Sequence, residues 1–82
     1  MVMVPSVHIN GTSKDELLRQ LGGARDAVRY AMERLREATP NARDYYVQER
    51  GAFSNAMLDH LARMEKLASV FDELGEIIEA VS

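Results

Sequence analysis

The residues best equipped for chemistry lie in one short segment, PNARDYYVQER, at residues 40–50. An arginine can hold a phosphate or carboxylate through two parallel hydrogen bonds, and a tyrosine ring can stack on a nucleobase. The segment therefore predicts a binding site for a nucleotide-like ligand. An alternative stays open, in which the two tyrosines cap the ends of the helices and Arg43 pairs with Asp44. The candidate ligand-binding residues here are Arg43, Asp44, Tyr45, Tyr46 and Gln48.

A second polar cluster precedes the first predicted helix and comprises His8, Asn10, Thr12 and Ser13. Helix N-termini present backbone N–H groups and attract anions. Within one chain this cluster would lie about 40 Å from the 40–50 segment, at the other end of the helix. The two clusters can form one pocket only between antiparallel copies of the chain, so we expect any ligand to bind between subunits.

The chain shows no pattern typical of an enzyme. It has no cysteine, and its two histidines, His8 and His60, lack the spacing of a metal site. It also lacks a phosphate-binding loop and a nucleophile elbow. His60 lies on an apolar stripe, where a core histidine with one hydrogen bond is the more common outcome. We therefore expect no catalysis, no metal and no cofactor.

The element that organises the chain is a predicted helix over residues 51–81. Nine residues recur at alternating steps of three and four, which places them on one side of a helix. They are Phe53, Met57, His60, Met64, Leu67, Phe71, Leu74, Ile78 and Val81.

A first helix is predicted over residues 12–38. Ser13 and Glu16 form a capping box, in which the hydroxyl and the carboxylate each bond a backbone N–H of the other residue. The predicted contact stripe is Leu17, Leu21, Ala24, Val28, Ala31, Leu35 and Ala38. Its alanines would receive large side chains from the second helix. Arg25, Arg29 and Arg36 are expected on a solvated face.

These elements predict an all-α fold: an antiparallel two-helix hairpin forming one domain over residues 1–82. An extended arm at residues 1–11 precedes the first helix, and a polar loop at residues 39–50 joins the helices. Two helices cannot cover every apolar residue, and exposed apolar flanks mark association surfaces. We expect a homo-oligomeric bundle, a dimer or a higher assembly. The predicted oligomer interface comprises Leu58, Leu61, Ala68 and Ile77.

Composition narrows the classes of partner. The net charge of −3 argues against a nucleic-acid-binding protein. The second helix is acidic and no apolar run approaches the roughly 20 residues of a membrane span, which argues against a membrane partner. The absence of cysteine suits a reducing cytoplasm, and the first residues do not resemble a signal peptide.

Two motifs carry a resemblance to a known family. HINGTS at residues 8–13 and PNARDYYVQ at residues 40–48 resemble segments of small accessory proteins of bacteriophages and prophages. In size and hairpin layout the chain is also similar to the phage anti-CBASS sponges, helical oligomers that sequester cyclic nucleotides. The resemblance implies a phage protein acting in the cytoplasm of a bacterial host.

Two functions follow as hypotheses. The first is an anti-defence sponge that sequesters a nucleotide-like signalling ligand at intersubunit pockets. The alternative is a homo-oligomeric protein-interaction module, an inhibitor or assembly factor, which acts on a host or virion protein.

Overall fold

The computed structural model describes residues 2–82 and consists of two antiparallel α-helices, α1 at Lys14–Glu37 and α2 at Ala52–Val81. A single 3₁₀ turn, Ala42–Asp44, lies in the connection between them. No strand occurs within residues 2–82. The prediction of an all-α hairpin is confirmed. Residues 2–8 have no regular secondary structure, and Met1 of the predicted arm lies outside the described residues.

Half of the predicted capping box forms at the start of α1. The Oγ atom of Ser13 accepts a hydrogen bond from the backbone N–H of Glu16 at 3.2 Å. The Glu16 carboxylate does not return to Ser13, because it accepts hydrogen bonds from the side chains of Arg19 and Gln20 on the next turn. That half of the prediction was wrong, since two side-chain donors compete with one backbone donor.

The nine stripe residues of α2 are all buried or half-buried, as predicted. The stripe of α1 is only partly as predicted, because Ala24, Ala31 and Ala38 are exposed. The half-buried residues of α1 are Glu16, Leu17, Leu18, Leu21, Gly22, Arg25, Val28, Met32 and Leu35. The observed contact stripe of α1 is shifted by one residue from the predicted one, so Arg25 and Met32 lie at the interface in place of Ala24 and Ala31.

Arg25 is a contact residue between the helices. The prediction that it lies on a solvated face was wrong. Its guanidinium carbon lies 3.9 Å from the centroid of the Phe71 ring. Its Nε donates a hydrogen bond to the Phe71 carbonyl oxygen at 3.2 Å. A cation over an aromatic face is attracted by the ring quadrupole, and the aliphatic stem of the arginine covers apolar surface. Arg25 thus fixes the register of α1 against the second half of α2.

His60 is a core histidine, as predicted, with only 4% of its surface exposed. Its Nε2 lies 3.2 Å from the Oγ1 of Thr39, which also donates to the Arg36 carbonyl oxygen. Because the single hydroxyl proton goes to that carbonyl, His60 must donate through Nε2–H. This bond joins the end of α1 to the first third of α2. At the opposite end, Lys14 Nζ donates to the Ser82 carbonyl oxygen at 3.2 Å.

The hairpin is long and has almost no interior. It measures 61 × 22 × 16 Å, with a radius of gyration of 18.2 Å. Only Val81 and His60 are buried among the described residues, and no side chain of this part is fully enclosed. No helix within residues 2–82 has a stretch long and apolar enough to cross a bilayer.

Candidate functional site

The connection between the helices is an ordered series of turns. The Asn41 side-chain oxygen accepts from the Arg43 backbone N–H at 3.1 Å and caps the 3₁₀ turn. Further backbone bonds run from Gln48 N–H to the Tyr45 carbonyl and from Ala52 N–H to the Glu49 carbonyl. Gly51 has φ of 90°, in the left-handed region that glycine tolerates, and it directs the chain into α2. The loop backbone thus holds its side chains in defined positions.

Tyr45 and Tyr46 have different environments although they are adjacent. Tyr45 is half-buried, and its ring packs against Phe53 with centroids 6.2 Å apart and planes inclined by 48°. Tyr46 is 80% exposed, and the following Val47 is exposed as well. The first tyrosine therefore covers the start of α2, whereas the second presents its ring to solvent.

Arg43, Asp44 and Gln48 are also exposed. Within residues 2–82, the ion pairs are Arg19–Glu16, Arg29–Asp26 and Arg34–Glu37, so Arg43 and Asp44 do not pair with each other there. An open groove of about 290 Å³ in the same loop is lined by Tyr45, Tyr46, Gln48, Arg50 and Phe53 among others, whereas Arg43 and Asp44 do not line it. Arg50, Tyr46 and Gln48 thus bring a guanidinium, an aromatic ring and an amide to this groove.

The second predicted cluster lies at the other end of the hairpin. His8, Asn10, Thr12 and Ser13 are all exposed. The His8 ring occupies the space beside Gly11, where a Cβ atom would lie 2.8 Å from the histidine Nε2. Since the 24 residues of α1 span about 36 Å, the structure does not bring this cluster to the loop within one chain.

The predicted oligomer residues share α2 but differ in exposure. Leu58 is 65% exposed and Leu61 is 55% exposed, while Ala68 and Ile77 are half-buried. At about 100° per residue, Leu61 and Ala68 fall on one flank of the α2 stripe and Ile77 falls on the other, while Leu58 lies nearly opposite the stripe. Leu58 and Leu61 thus form the apolar part of this set that is most open to solvent.

Charge is uneven along the molecule. No lysine or arginine occurs after Lys66, and the last third of α2 carries Asp72, Glu73, Glu76 and Glu79, all exposed. At the loop end, exposed Arg34, Arg36, Arg43 and Arg50 alternate with exposed Glu33, Glu37, Asp44 and Glu49. At the start of α1, the hydrogen bonds from Arg19 and then Gln20 lower the pKa of Glu16 to about 2. The end of α2 is therefore acidic, whereas the loop end carries both signs of charge in equal number.

Sequence reasoning missed several residues at these contacts. Thr39 had no predicted role, and neither did the contact of Arg25 with Phe71 or the exposure of Val47. One signal was available, because Gly75 is the only glycine inside α2 and therefore marks a close approach.

Within residues 2–82, no group of three or more residues of the metal-ligating types (His, Cys, Asp and Glu) could hold a metal ion.

Comparisons of this chain with protein-family models, with curated proteins and with solved structures found no match.

Proposed function

We propose that this chain is a non-enzymatic binding protein that works as a homo-oligomeric helical bundle. The observation that carries the proposal is its surface. The chain exposes 6413 Å², whereas a compact monomer of 9.2 kDa would expose about 4,900 Å². Its radius of gyration of 18.2 Å likewise exceeds the roughly 12 Å of a compact chain of 82 residues.

The size of this excess suits association of copies. It amounts to about 1,500 Å² per chain, whereas a standard interface removes about 800 Å² from each partner. Only Val81 and His60 are buried among the described residues, so the hairpin has little core of its own, and oligomerisation is one usual way in which small domains add core. A bundle of two or more hairpins would enclose the half-buried stripe residues of both helices.

We propose that the ligand of this oligomer is nucleotide-like and is held in the loop groove. Tyr46 lines this groove and offers an open ring for stacking, and Arg43, in the preceding 3₁₀ turn, offers a guanidinium outside the ion pairs named above. In an antiparallel oligomer the helix start of a neighbouring copy, with His8, Asn10, Thr12 and Ser13, would supply further donors. The similarity in size and hairpin layout to the phage anti-CBASS sponges supports sequestration of a signalling nucleotide, and the resemblance to phage accessory proteins supports a bacterial cytoplasm as its place of action.

The alternative function is a protein-interaction module. Exposed Tyr46 and Val47 form an aromatic and aliphatic pair in a loop held by backbone hydrogen bonds. Tyrosine is enriched among the residues that dominate protein interfaces. In that case the oligomer would display several copies of the tip to a host or virion protein, and small ligands would not bind.

The experiment has two stages. Analytical ultracentrifugation across a wide range of concentration is expected to give a mass of two or more chains. Thermal unfolding is then measured with a panel of cyclic and linear nucleotides, since a ligand that binds only the folded state raises the melting temperature. Arg43→Ala and Tyr46→Ala should abolish the rise. The matched controls are Arg63→Ala and Tyr30→Ala, which alter exposed residues outside the loop.

A well-folded monomer at high concentration would overturn the oligomeric function. An oligomer whose melting temperature responds to no nucleotide would overturn the nucleotide ligand and favour the protein-interaction module.

A further inference from the structure

One broad side of the hairpin carries apolar residues along both helices. Along α1 to its C-cap, alanine directly precedes three residues that contact α2, namely Arg25, Met32 and Thr39. In α2, three residues of the stripe are likewise preceded by an apolar residue. The six preceding residues are Ala24, Ala31, Ala38, Ala56, Val70 and Ile77.

Antiparallel packing places these six residues on the same side. The residue before a contact residue is rotated from it by about 100° around the helix axis. The sense of this rotation is the same in both helices, because both are right-handed. Since α1 and α2 run in opposite directions and face each other, both rotations lead to one side of the plane that contains the two helix axes. We call this side, with its six apolar residues, the alanine face.

The opposite side of the hairpin is interrupted by charge. It is formed by residues that follow contact residues, and in α1 these include Arg29 and Arg36, both exposed. The α2 residues on that side include Leu61 and Ala68. The alanine face includes one charged residue of α2 at an equivalent position, Arg63, and the aliphatic stem of an arginine can cover apolar surface while its guanidinium stays in water.

The alanine face is open to solvent within one chain. Ala24, Ala31 and Ala38 are exposed, and Val70 has 45% of its surface exposed. The face is a broad side of a body of 61 × 22 × 16 Å, about 1,300 Å² in outline, whereas a standard interface takes about 800 Å² from each partner. Alanine side chains also let the axis of another helix come close. The face therefore has the size and the composition of a helix-packing surface.

We propose that the alanine face is the surface on which a second copy of this chain packs. This inference rests on the proposed self-association and adds the surface that carries it. A second copy brings an identical apolar face, and a two-fold axis buries both faces at once. Burial of about 800 Å² per chain would remove about half of the excess surface of each hairpin.

This assignment separates the predicted interface residues. Ile77 belongs to the alanine face, whereas Leu61 and Ala68 lie on the opposite side and Leu58 lies nearly opposite the α2 stripe. We therefore expect Leu58, Leu61 and Ala68 to stay outside the contact between two copies.

Lysine substitutions test the alanine face. Ala24→Lys and Val70→Lys place a charge where an apolar partner is expected, and each should raise the dimer Kd by at least about tenfold in sedimentation equilibrium. Ala62→Lys alters an exposed alanine on the side of α2 away from the stripe and should leave the Kd unchanged. Leu61→Lys, on the opposite side of the hairpin, should also leave it unchanged.

Thiol labelling gives a second readout that adds no charge to the face. The absence of native cysteines makes each introduced thiol unique. Ala31→Cys and Ala62→Cys are alkylated with a maleimide at concentrations below and above the dimer Kd. Labelling of residue 31 should slow as the dimer forms, whereas labelling of residue 62 should keep one rate at all concentrations.

An oligomer whose Kd is unchanged by Ala24→Lys and Val70→Lys would overturn this inference, yet leave the proposed self-association intact. A Kd raised by Leu61→Lys in that case would assign the contact to the opposite side. Labelling of residue 31 at one rate throughout, in a chain whose mass shows association, would overturn the alanine face in the same way. A monomer at all concentrations would overturn both the face and the proposed function.

Discussion

A Cβ atom on Gly75 would lie 2.8 Å from Nη2 of Arg25 and 3.0 Å from its Cζ. The only glycine within α2 is thus the position over which the guanidinium of the opposite helix passes. Replacing Gly75 by alanine would stabilise the helical state by about 1 kcal/mol. The added methyl group would also displace the Arg25 guanidinium, whose stacking on the Phe71 ring and hydrogen bond to the Phe71 carbonyl oxygen together contribute about 2–3 kcal/mol. We expect Gly75→Ala to lower the free energy of unfolding by about 1 kcal/mol, measured by urea denaturation.

Two comparisons isolate the cause of that loss. Gly23→Ala adds the same methyl group where no atom lies within 4 Å, so it should raise the free energy of unfolding by about 1 kcal/mol. In an Arg25→Ala background, Gly75→Ala should become stabilising as well. If Gly75→Ala stabilises the native chain as much as Gly23→Ala does, Arg25 does not hold the position that the structure gives it.

The hydrogen bond between Thr39 and His60 provides a second prediction. Thr39→Val keeps the shape of the side chain and removes the hydroxyl, leaving the Nε2–H of a buried histidine without its acceptor. An unsatisfied buried donor costs about 1–3 kcal/mol. We expect a loss of that size in the free energy of unfolding, measured by urea denaturation. Thr39→Ser retains the hydroxyl and should recover most of the loss; equal losses in both variants would contradict the role of this bond.

The predicted and the observed contact stripes of α1 show where sequence reasoning reached its limit. Both stripes contain Leu21, Val28 and Leu35, and in both the residues recur at steps of three and four, so periodicity cannot distinguish them. Apolarity selects the stripe with Ala24 and Ala31. The structure selects the stripe with Arg25 and Met32, whose longer side chains cover more of α2. An arginine that stacks on a ring is polar in sequence but acts as a contact residue in the fold.

The candidate site was predictable only in part for a similar reason. The alternation of apolar residues in α2 depends on that helix alone, and its stripe was predicted in full. Whether Tyr45 or Tyr46 faces the solvent depends on the path of the turns between Asn41 and Gly51. No periodic pattern encodes that path, so the sequence could not assign different roles to two adjacent residues of the same type.

The lowered pKa of Glu16 predicts a pH dependence at the start of α1. Its folded value of about 2 lies below the ordinary 4.5, because Arg19 and Gln20 bond the ionised carboxylate. The ionised form therefore stabilises the fold above pH 4.5, and this contribution is lost as the pH falls towards 2. Glu16→Gln should lower the melting temperature at pH 7 but not at pH 2. A temperature difference that does not change between these pH values would contradict the assignment, and Arg19→Ala should show the same pattern.

The adjacent tyrosines should separate folding from binding. Tyr45→Ala removes a half-buried ring from Phe53, and we expect the free energy of unfolding to fall by about 1–3 kcal/mol. Tyr46→Ala removes an exposed ring, so its free energy of unfolding should stay within about 0.5 kcal/mol of the native value. Urea denaturation measures both, and calorimetric titration with the nucleotide or protein partner should show binding lost in Tyr46→Ala. Tyr45→Phe, which keeps the ring, serves as the control for packing. Equal destabilisation by the two alanine variants would mean that both rings cap the helices, and the loop would then lose its aromatic binding surface.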